Sequence, residues 1–207
     1  MARPRTGTCE LCKMQMSKPK MEAHIAGCAP EHDLSGKPET IVQVRIEPKG
    51  APRYWLLLEA RAGTPLKHLD TLLRETWLEC CGHMSAFYVG GGELPMGGKI
   101  GTVLPRTRSG FTYEYDFGTT TELKGQVVST RKGCLGRVPI RLLARNDSLE
   151  WQCSACSRAA VIICPICVHE GDCLFCDAHA EEHPCADEEV YLPVVNSPRM
   201  GVCEYVG

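Results

Sequence analysis

The sequence predicts an α+β fold in which a mostly antiparallel sheet carries one main packed helix and small cysteine-rich modules flank the sheet. Two observations predict the sheet: apolar and polar residues alternate through 41–47, and aromatic and polar residues alternate through 111–117. The apolar residues of 66–77 fall on one helical stripe, which predicts the helix. The cysteines gather towards both ends of the chain and predict the flanking modules.

The central elements follow in chain order. Residues 41–47 and 54–60 are predicted to form a hairpin, because a Gly-Ala-Pro turn lies between them. Thr64 can cap the helix and Pro65 suits its first position. The glycines of 90–98 are predicted to bound a mobile loop. The remaining strands are predicted at 85–89, 111–117, 123–130 and 138–144.

Composition divides the chain into three parts. A linker rich in proline, glycine and charge spans 29–40, and a turn pair lies at Asn146-Asp147. The predicted domains are therefore 1–30, 40–150 and 151–207, the last including a packed C-terminal tail. We expect this tail, 190–207, to pack on the middle domain or on a partner.

The charges separate along the chain. The formal net charge of −2 excludes a uniformly basic nucleic-acid binder and leaves room for a basic patch. Residues 1–52 carry +2, residues 53–150 carry +3, and residues 151–207 carry −7. The last part is a poor partner for phosphate, so any positive surface is expected in the first two.

The cysteine content points to metal. No apolar run of about 18 residues predicts a membrane span. The first residues have no apolar core, so we expect no secretory signal and a cytoplasmic protein. Without export, the 14 cysteines are expected to be metal ligands more often than disulfides.

The front of the chain has the spacing of a small zinc finger. Cys9 and Cys12 form a Cys-x2-Cys knuckle, while His24 and Cys28 lie four residues apart on one side of a predicted helix. Zinc takes four nitrogen or sulfur ligands in a tetrahedron, which these residues can supply. The module resembles the Cys-Cys-His-Cys relatives of the Cys-Cys-His-His finger. The module contains Lys13, Lys18 and Lys20. These lysines either contact nucleic-acid phosphate or are solvated side chains around a structural finger.

The middle region resembles a known family. The resemblance is carried by Tyr-Trp-Leu-Leu-Leu-Glu-Ala at 54–60, Thr-Pro-Leu-Lys-His-Leu-Asp at 64–70, Gly-His-Met-Ser-Ala-Phe-Tyr-Val-Gly-Gly at 82–91 and Tyr-Glu-Tyr-Asp-Phe-Gly at 113–118. These segments are similar to the plasmid pRiA4b open-reading-frame-three-like family, whose members are also labelled insertion-element passenger proteins. The resemblance covers about 40–150 and implies a mobile-element-related fold rather than an activity.

Two further functions are weighed for the middle region. Residues 99–150 are the most basic stretch and, with Tyr113 and Tyr115, could form a nucleic-acid surface or could be ordinary solvent-facing strand residues. The candidate contacts there are Arg106, Arg108, Arg131 and Lys132. Cys81 beside His83 could act as an activated nucleophile, but no acid–base constellation accompanies the pair.

The tail contains three Cys-x2-Cys knuckles followed by histidines and a cysteine, which predicts two structural zinc ions. It resembles B-box-like and other cross-brace zinc modules, in which alternate ligand pairs share an ion. That resemblance implies one zinc on Cys153, Cys156, Cys173 and Cys176, and another on Cys164, Cys167, His183 and Cys185, with His179 as the alternative ligand. Sequential pairing of the first two knuckles stays open.

The sequence therefore predicts a non-enzymatic cytoplasmic protein with three structural zinc ions. The first function considered is a nucleic-acid- or ribonucleoprotein-associated factor. The alternative is a protein–protein adaptor acting through the acidic zinc module, and an enzyme using Cys81 and His83 is the third. No membrane or small-molecule partner is predicted. The remaining thiols are core residues or a fourth site, namely Cys80, Cys81, Cys134 and Cys203.

Overall fold

The computed structural model describes residues 6–105, 110–168, 171–185 and 190–207. These residues divide into two compact units. The larger unit consists of residues 6–75 and 84–147, and the smaller unit consists of residues 76–83 and 148–207 where described. The strands and helices confirm the predicted α+β class.

The described part of the larger unit contains one sheet of nine strands in which every pairing is antiparallel. Its order is β2-β1-β9-β4-β3-β8-β7-β5-β6. The strands are β1 (Thr6–Cys9), β2 (Gln15–Ser17), β3 (Glu39–Pro48), β4 (Leu56–Arg61), β5 (Ser85–Val89), β6 (Gly92–Leu94), β7 (Phe111–Tyr115), β8 (Thr121–Gly133) and β9 (Ile140–Asn146). The predicted hairpin of β3 and β4 is present, with Val44 opposite Leu58.

The helices bury apolar stripes. Helix α1 (Lys18–Glu31) begins with a proline in its first turn, as expected for Pro19, and buries Met21 and Ile25. Helix α2 (Leu66–Leu73) is the predicted main helix, and its stripe continues through a π-helical turn at Arg74–Leu78. A short helix α3 covers Ile100–Val103. Helix α2 buries Leu66, Leu69 and Leu73. Full burial of one leucine side chain contributes about 1.5–3 kcal/mol to the free energy of unfolding relative to an exposed one.

The front module is not a separate domain, which corrects the predicted boundary near residue 30. Strand β1 pairs with β9 and extends the sheet, with Gly7 opposite Asn146 and Cys9 opposite Ala144. A Cβ on Gly7 would lie 2.3 Å from the Trp55 ring, so only glycine allows this approach. The module and the sheet share one apolar core, formed by Cys9, Met21, Ile25, Cys28, Ala29, Trp55, Leu57, Leu143 and Ala144.

The glycine-rich segment 90–98 is not the loop that the sequence predicts. Strand β6 pairs with β5, with Phe87 opposite Leu94, which leaves Gly90 and Gly91 as a two-residue hairpin turn. Their φ angles are +58° and +83°, a combination that suits the tight hairpin turn and that glycine adopts without strain.

The smaller unit has a three-stranded sheet in its described residues, in the order β11-β10-β12. These strands are β10 (Ile162–Ile163), β11 (Leu174–Phe175) and β12 (Leu192–Pro193), and helix α4 covers Asp177–Glu181. The C-terminal tail packs within this unit, since β12 pairs with β10 and Ser197 Oγ donates a 2.6 Å hydrogen bond to Trp77 O. Across the described residues, no helix is long and apolar enough to cross a membrane.

Candidate metal centres

Within the described residues, four groups of cysteine and histidine side chains could hold a metal ion. In each group the four ligand atoms all lie within 4.8 Å of one another. A tetrahedral zinc ion with Zn–S bonds of about 2.3 Å and Zn–N bonds of about 2.0–2.1 Å separates its ligands by about 3.5–3.8 Å. All 14 cysteines are free thiols in the structure, so disulfides do not account for the groups.

The front group consists of the four residues that the sequence singles out: Cys9, Cys12, His24 and Cys28. Cys9 Sγ lies 3.9 Å from Cys28 Sγ, and Cys12 Sγ lies 3.2 Å from His24 Nε2. Strand β1 ends at Cys9, and the following turn brings Cys12 back, while α1 presents the other two ligands. The ligand chemistry and the spacing both fit a structural zinc ion.

Local backbone geometry supports thiolates in the front group. Lys13 N donates to Cys9 O, and Cys9 N donates to Met14 O, which closes the knuckle. A hydrogen bond from the Met14 backbone lowers the pKa of Cys12 to about 7. Burial, together with the neighbouring Cys12 and Cys9 thiols, raises the pKa of Cys28 to about 12. A bound divalent cation would offset this crowding, because coordination deprotonates a thiol.

The first tail group differs from the predicted ligand set. It consists of Cys153, Cys156, Cys176 and His179, so His179 takes the place expected for Cys173. His179 Nδ1 lies 3.4 Å from both Cys153 Sγ and Cys176 Sγ. Cys173 is buried just before β11, and its carbonyl accepts a hydrogen bond from Cys164 N.

The start of α4 explains this choice. Cys176 is the residue that precedes the helix, and His179 N donates to Cys176 O in the first turn. Cys176 and His179 have the same x2 spacing as the two cysteines of a Cys-x2-Cys knuckle. The sequence therefore offers two x2 pairs that include Cys176, one with Cys173 and one with His179. Burial opposes ionisation of Cys153, but backbone N–H groups of Cys176 and Ala155 lower the pKa of its thiol to about 6.

The second tail group consists of Cys164, Cys167, His183 and Cys185, as the cross-brace resemblance implies. Cys167 Sγ lies 3.4 Å from His183 Nε2 and 4.0 Å from Cys185 Sγ. The two tail groups thus interleave along the chain, and the structure does not bring the first two knuckles into one group.

The apolar core around the tail groups is small. Besides ligand cysteines, its buried members are Phe175 and Ala180, and Ile162 and Tyr191 pack against it partly exposed. The Phe175 ring lies 4.4 Å from the His183 ring. A module with so little apolar burial needs another source of stability, and bound zinc supplies one.

The fourth group is formed by Cys80, Cys81, His83 and Cys203. Cys81 Sγ lies 3.1 Å from His83 Nε2 and 3.6 Å from Cys203 Sγ. The Cys203 and Cys80 thiols raise the pKa of Cys81 to about 12, which disfavours the free thiolate that a nucleophile needs. Cys134 is nearly buried beside Gly36 and belongs to none of the groups among described residues.

The candidate phosphate-binding lysines mostly have carboxylate or hydroxyl partners. Lys13 forms an ion pair with Glu10, and half-buried Lys18 forms one with Glu47. Lys132 Nζ donates to Thr40 Oγ1, and Lys20 is exposed on α1. The candidates Arg106 and Arg108 lie outside the described residues.

Arg131, another expected nucleic-acid contact, is engaged inside the larger unit. Its guanidinium forms ion pairs with fully buried Glu59 at 2.9 Å and with Asp33 at 2.7 Å. Arg141 also pairs with Glu59, at 2.6 Å. This network neutralises two arginines of the basic stretch, so Arg131 contributes to the fold rather than to an open cationic surface.

A polar network that sequence reasoning missed surrounds the Tyr113–Gly118 stretch. Asp70 Oδ1 accepts hydrogen bonds from Ser85 Oγ at 2.6 Å and from Tyr113 OH at 2.7 Å. Arg74 donates to Asp70 Oδ2 and lies over the Tyr115 ring. Burial raises the pKa of Tyr113, which keeps the phenol protonated as a donor. The residues therefore satisfy one another and join α2 to β5 and β7.

Comparisons with known proteins add little to this picture. No family model matches the chain, and no curated protein matches it. The chain is similar to a solved structure described as a protein of unknown function, MM3350 from Methanosarcina mazei Go1. The two share 13% identity, the similarity covers 54% of this chain and 70% of that chain, and the TM-score is 0.44. A likeness of this degree carries no argument about function.

Proposed function

We propose that the protein is a non-enzymatic adaptor, which holds three structural zinc ions and binds a basic protein partner through residues 151–207, the acidic zinc module. The three ions occupy the front group, the first tail group and the second tail group. The observation that carries the proposal is the distribution of charge. Acidic residues dominate the sequence of the module, while four of the cations expected to bind phosphate have partners within the protein, namely Lys13, Lys18, Arg131 and Lys132.

The ligand sets support structural zinc. Each of the three groups offers three thiols and one imidazole and contains no carboxylate. Four protein ligands close the tetrahedron, whereas catalytic zinc keeps a position for water or substrate. Zinc bound in this way contributes stability and orients the surrounding loops without taking part in a reaction.

The composition of the acidic zinc module and its exposed apolar residues support a protein partner. The module carries nine acidic and two basic residues, and one of the basic residues, Arg199, is fully buried. Each zinc site adds negative charge, because three thiolates outweigh one divalent ion. Val161, Ile166 and Val206 are 45%, 47% and 61% exposed. Exposed apolar side chains on a module of acidic composition suit a basic protein surface, where charge guides the encounter and burial holds the complex.

The remaining parts of the proposal rest on the sequence. A reducing cytoplasm suits a chain whose 14 cysteines are all free. The resemblance of residues 40–150 to the plasmid-derived family makes that region a scaffold that carries the front group. Nucleic-acid association is the competing outcome of the experiment below.

The test is a pull-down of the tagged full-length protein from extract of its native host, with and without nuclease. A Glu181→Lys/Glu182→Lys variant reverses two exposed charges beside the second tail group without changing a ligand. A Lys13→Ala/Lys20→Ala variant is the matched control in the front module. We expect the partner to survive nuclease, to be lost with the glutamate variant and to be retained with the lysine variant.

The opposite pattern overturns the adaptor proposal. If nucleic acid co-purifies, nuclease strips the accompanying proteins and the lysine variant loses binding, the protein is a nucleic-acid-associated factor. The salt dependence of binding also distinguishes a nucleic-acid-associated factor from a protein adaptor, because the affinity of phosphate contacts falls steeply as the salt concentration rises.

A further inference from the structure

The fourth group shares no ligand with the three sites of the proposed function. Its ligands come from two segments far apart in sequence, 80–83 and Cys203, yet both segments belong to the smaller unit. Cys203 Sγ lies 3.6 Å from Cys81 Sγ and 3.6 Å from His83 Nε2. The group therefore joins the C-terminal tail to the segment that follows α2.

We propose that Cys80, Cys81, His83 and Cys203 form a fourth zinc site, which fastens the C-terminal tail and opens when peroxide oxidises Cys81 and Cys203 to a disulfide. The proposal deepens the proposed function, since it takes zinc as the ion. It names both a metal site and the reaction that empties it.

The four ligand atoms lie within 4.8 Å of one another, close enough to share one metal ion. Cys80 Sγ lies 3.7 Å from Cys81 Sγ, and Cys203 Sγ lies 3.6 Å from both Cys81 Sγ and His83 Nε2. The Cys81 Sγ–His83 Nε2 separation is shorter, at 3.1 Å. The three separations of 3.6–3.7 Å match the ligand separations of tetrahedral zinc, about 3.5–3.8 Å, and binding the ion would lengthen the 3.1 Å contact slightly. They are far longer than a disulfide bond of about 2.05 Å. Cys203 also has a φ angle of +55°, a conformation that non-glycine residues adopt when surrounding contacts require it.

The backbone around the group is held in place from both sides. Gly82 N donates a 2.6 Å hydrogen bond to Glu79 Oε1, which orders the turn between Cys81 and His83. On the tail side, Ser197 is buried and its hydroxyl donates to Trp77 O. The ligands are therefore presented by ordered segments, as a preformed metal site requires.

Exposure distinguishes this group from the other three. Cys81 and Cys203 are both exposed, and neither of the other two ligands is buried. Each of the other groups contains at least one buried thiol. Oxidants reach exposed thiolates first, so the fourth site is expected to be the most readily oxidised.

The reaction balances with hydrogen peroxide as the two-electron oxidant. Coordination to zinc deprotonates a thiol, so Cys81 and Cys203 are thiolates in the loaded site. One of these thiolates attacks a peroxide oxygen; the O–O bond breaks, hydroxide leaves and a sulfenic acid forms. The other thiolate attacks that sulfur, and the S–S bond forms as the second hydroxide leaves. Two protons convert both hydroxides to water. Cys80 and His83 remain as only two ligands, so the zinc ion dissociates.

The first experiment is native mass spectrometry of the reduced, zinc-replete full-length protein. We expect four zinc ions in the wild type and three in Cys203→Ser. The matched control is Cys134→Ser, which lies outside all four groups and should retain four. Exposed Cys203 can be replaced without opening the core, and His83→Asn is a second variant that should also carry three.

The second experiment adds peroxide stepwise and follows released zinc with a chromogenic chelator. We expect one ion to leave before the others, together with a Cys81–Cys203 disulfide in non-reducing peptide maps, and no such first phase in Cys203→Ser. Three ions in both wild type and Cys203→Ser would overturn the inference and leave the proposed function standing. A vicinal Cys80–Cys81 disulfide would overturn the assigned reaction. Fewer than three ions in the wild type would instead overturn the proposed function.

Discussion

His179 and Cys173 lie three residues to either side of Cys176, and only His179 reaches the first tail group. Spacing alone does not separate the two, because both form an x2 pair with Cys176. Helix α4 decides between the two candidates, because its first turn places the His179 ring 3.4 Å from the Cys176 thiol. The carbonyl of Cys173, by contrast, is bound by Cys164 N in the neighbouring hairpin.

This difference predicts the metal content of two variants. We expect His179→Ala to lower the zinc count by one, since a three-thiol set leaves the tetrahedron incomplete. Cys173→Ala should keep the wild-type count. Native mass spectrometry of both variants checks this, and the reverse result would restore the ligand set that the sequence implies.

Asp33 links stability to pH. The hydrogen bond that Arg131 donates lowers the pKa of the Asp33 carboxyl below its ordinary value of 3.8, although burial opposes this. A lowered pKa in the folded state stabilises the protein fully above the unfolded value. The contribution is lost as the pH falls from about 3.8 through the folded-state pKa.

We therefore expect Asp33→Asn to cost about 1–3 kcal/mol of unfolding free energy near pH 7, where a charged hydrogen bond is lost. The difference between wild type and variant should shrink as the pH drops below 3.8. Urea unfolding of both proteins across this range measures it. A difference that stays constant with pH would show that the Asp33–Arg131 pair does not act in this way.

Periodicity predicts elements well where one face is buried. The alternation in β3 and β7 and the stripe of α2 give these elements directly from the sequence. Strands β1 and β2 have four and three residues, too few for a pattern, so the joining of the front module to the sheet was not predictable. The β5–β6 hairpin was missed because glycine marks both loops and tight turns.

Two glycines of the front module, Gly7 in β1 and Gly27 in α1, are expected to respond in opposite ways to substitution by alanine. Gly7→Ala places a Cβ 2.3 Å from both the Arg145 carbonyl oxygen and the Trp55 ring, so it should destabilise the protein by about 1–3 kcal/mol. Gly27 is exposed within α1, and an added Cβ would meet nothing within 4 Å. Gly27→Ala should therefore stabilise by about 0.5–1 kcal/mol.

Thermal and urea unfolding of the two variants provide the test. Equal effects of the same sign would contradict the close packing of β1 against β9 and the Trp55 ring. Retention of the front-group zinc in Gly27→Ala verifies that α1 still presents its ligands.

The two units as wholes are stabilised by different means. The larger unit buries an extensive apolar core, including Ile41, Leu58, Trp55 and Phe87. The tail part of the smaller unit buries few large apolar side chains, so most of its stability is expected from metal. Structural zinc contributes about 10–16 kcal/mol to the folding of comparable peptides.

Removal of zinc by a chelator should therefore unfold part of the smaller unit and leave the larger unit folded. We expect excess chelator to remove amide protection from residues 148–185 where described, while β3, β4 and β8 stay protected. Hydrogen exchange of the full-length protein with and without chelator measures both at once. Protection that persists throughout the tail after complete zinc removal would contradict this assignment.

Sequence reasoning reached three of the four groups because their ligands repeat at short, regular spacings. The fourth group has no such signal, since Cys203 is far in sequence from Cys80, Cys81 and His83. Only the folding of the tail back onto residues 76–83 brings its ligands together. Likewise, the partners of Arg131 come from separate strands and loops and could not be read from charge patterning.

Counting bound zinc tests the central claim most directly. Native mass spectrometry of the reduced full-length protein should show zinc at the three sites of the proposed function and, with the Cys203 site, four ions per chain. Cys9→Ser, Cys153→Ser and Cys164→Ser should each remove one ion. A chain without zinc, or a count that these substitutions leave unchanged, would contradict the account.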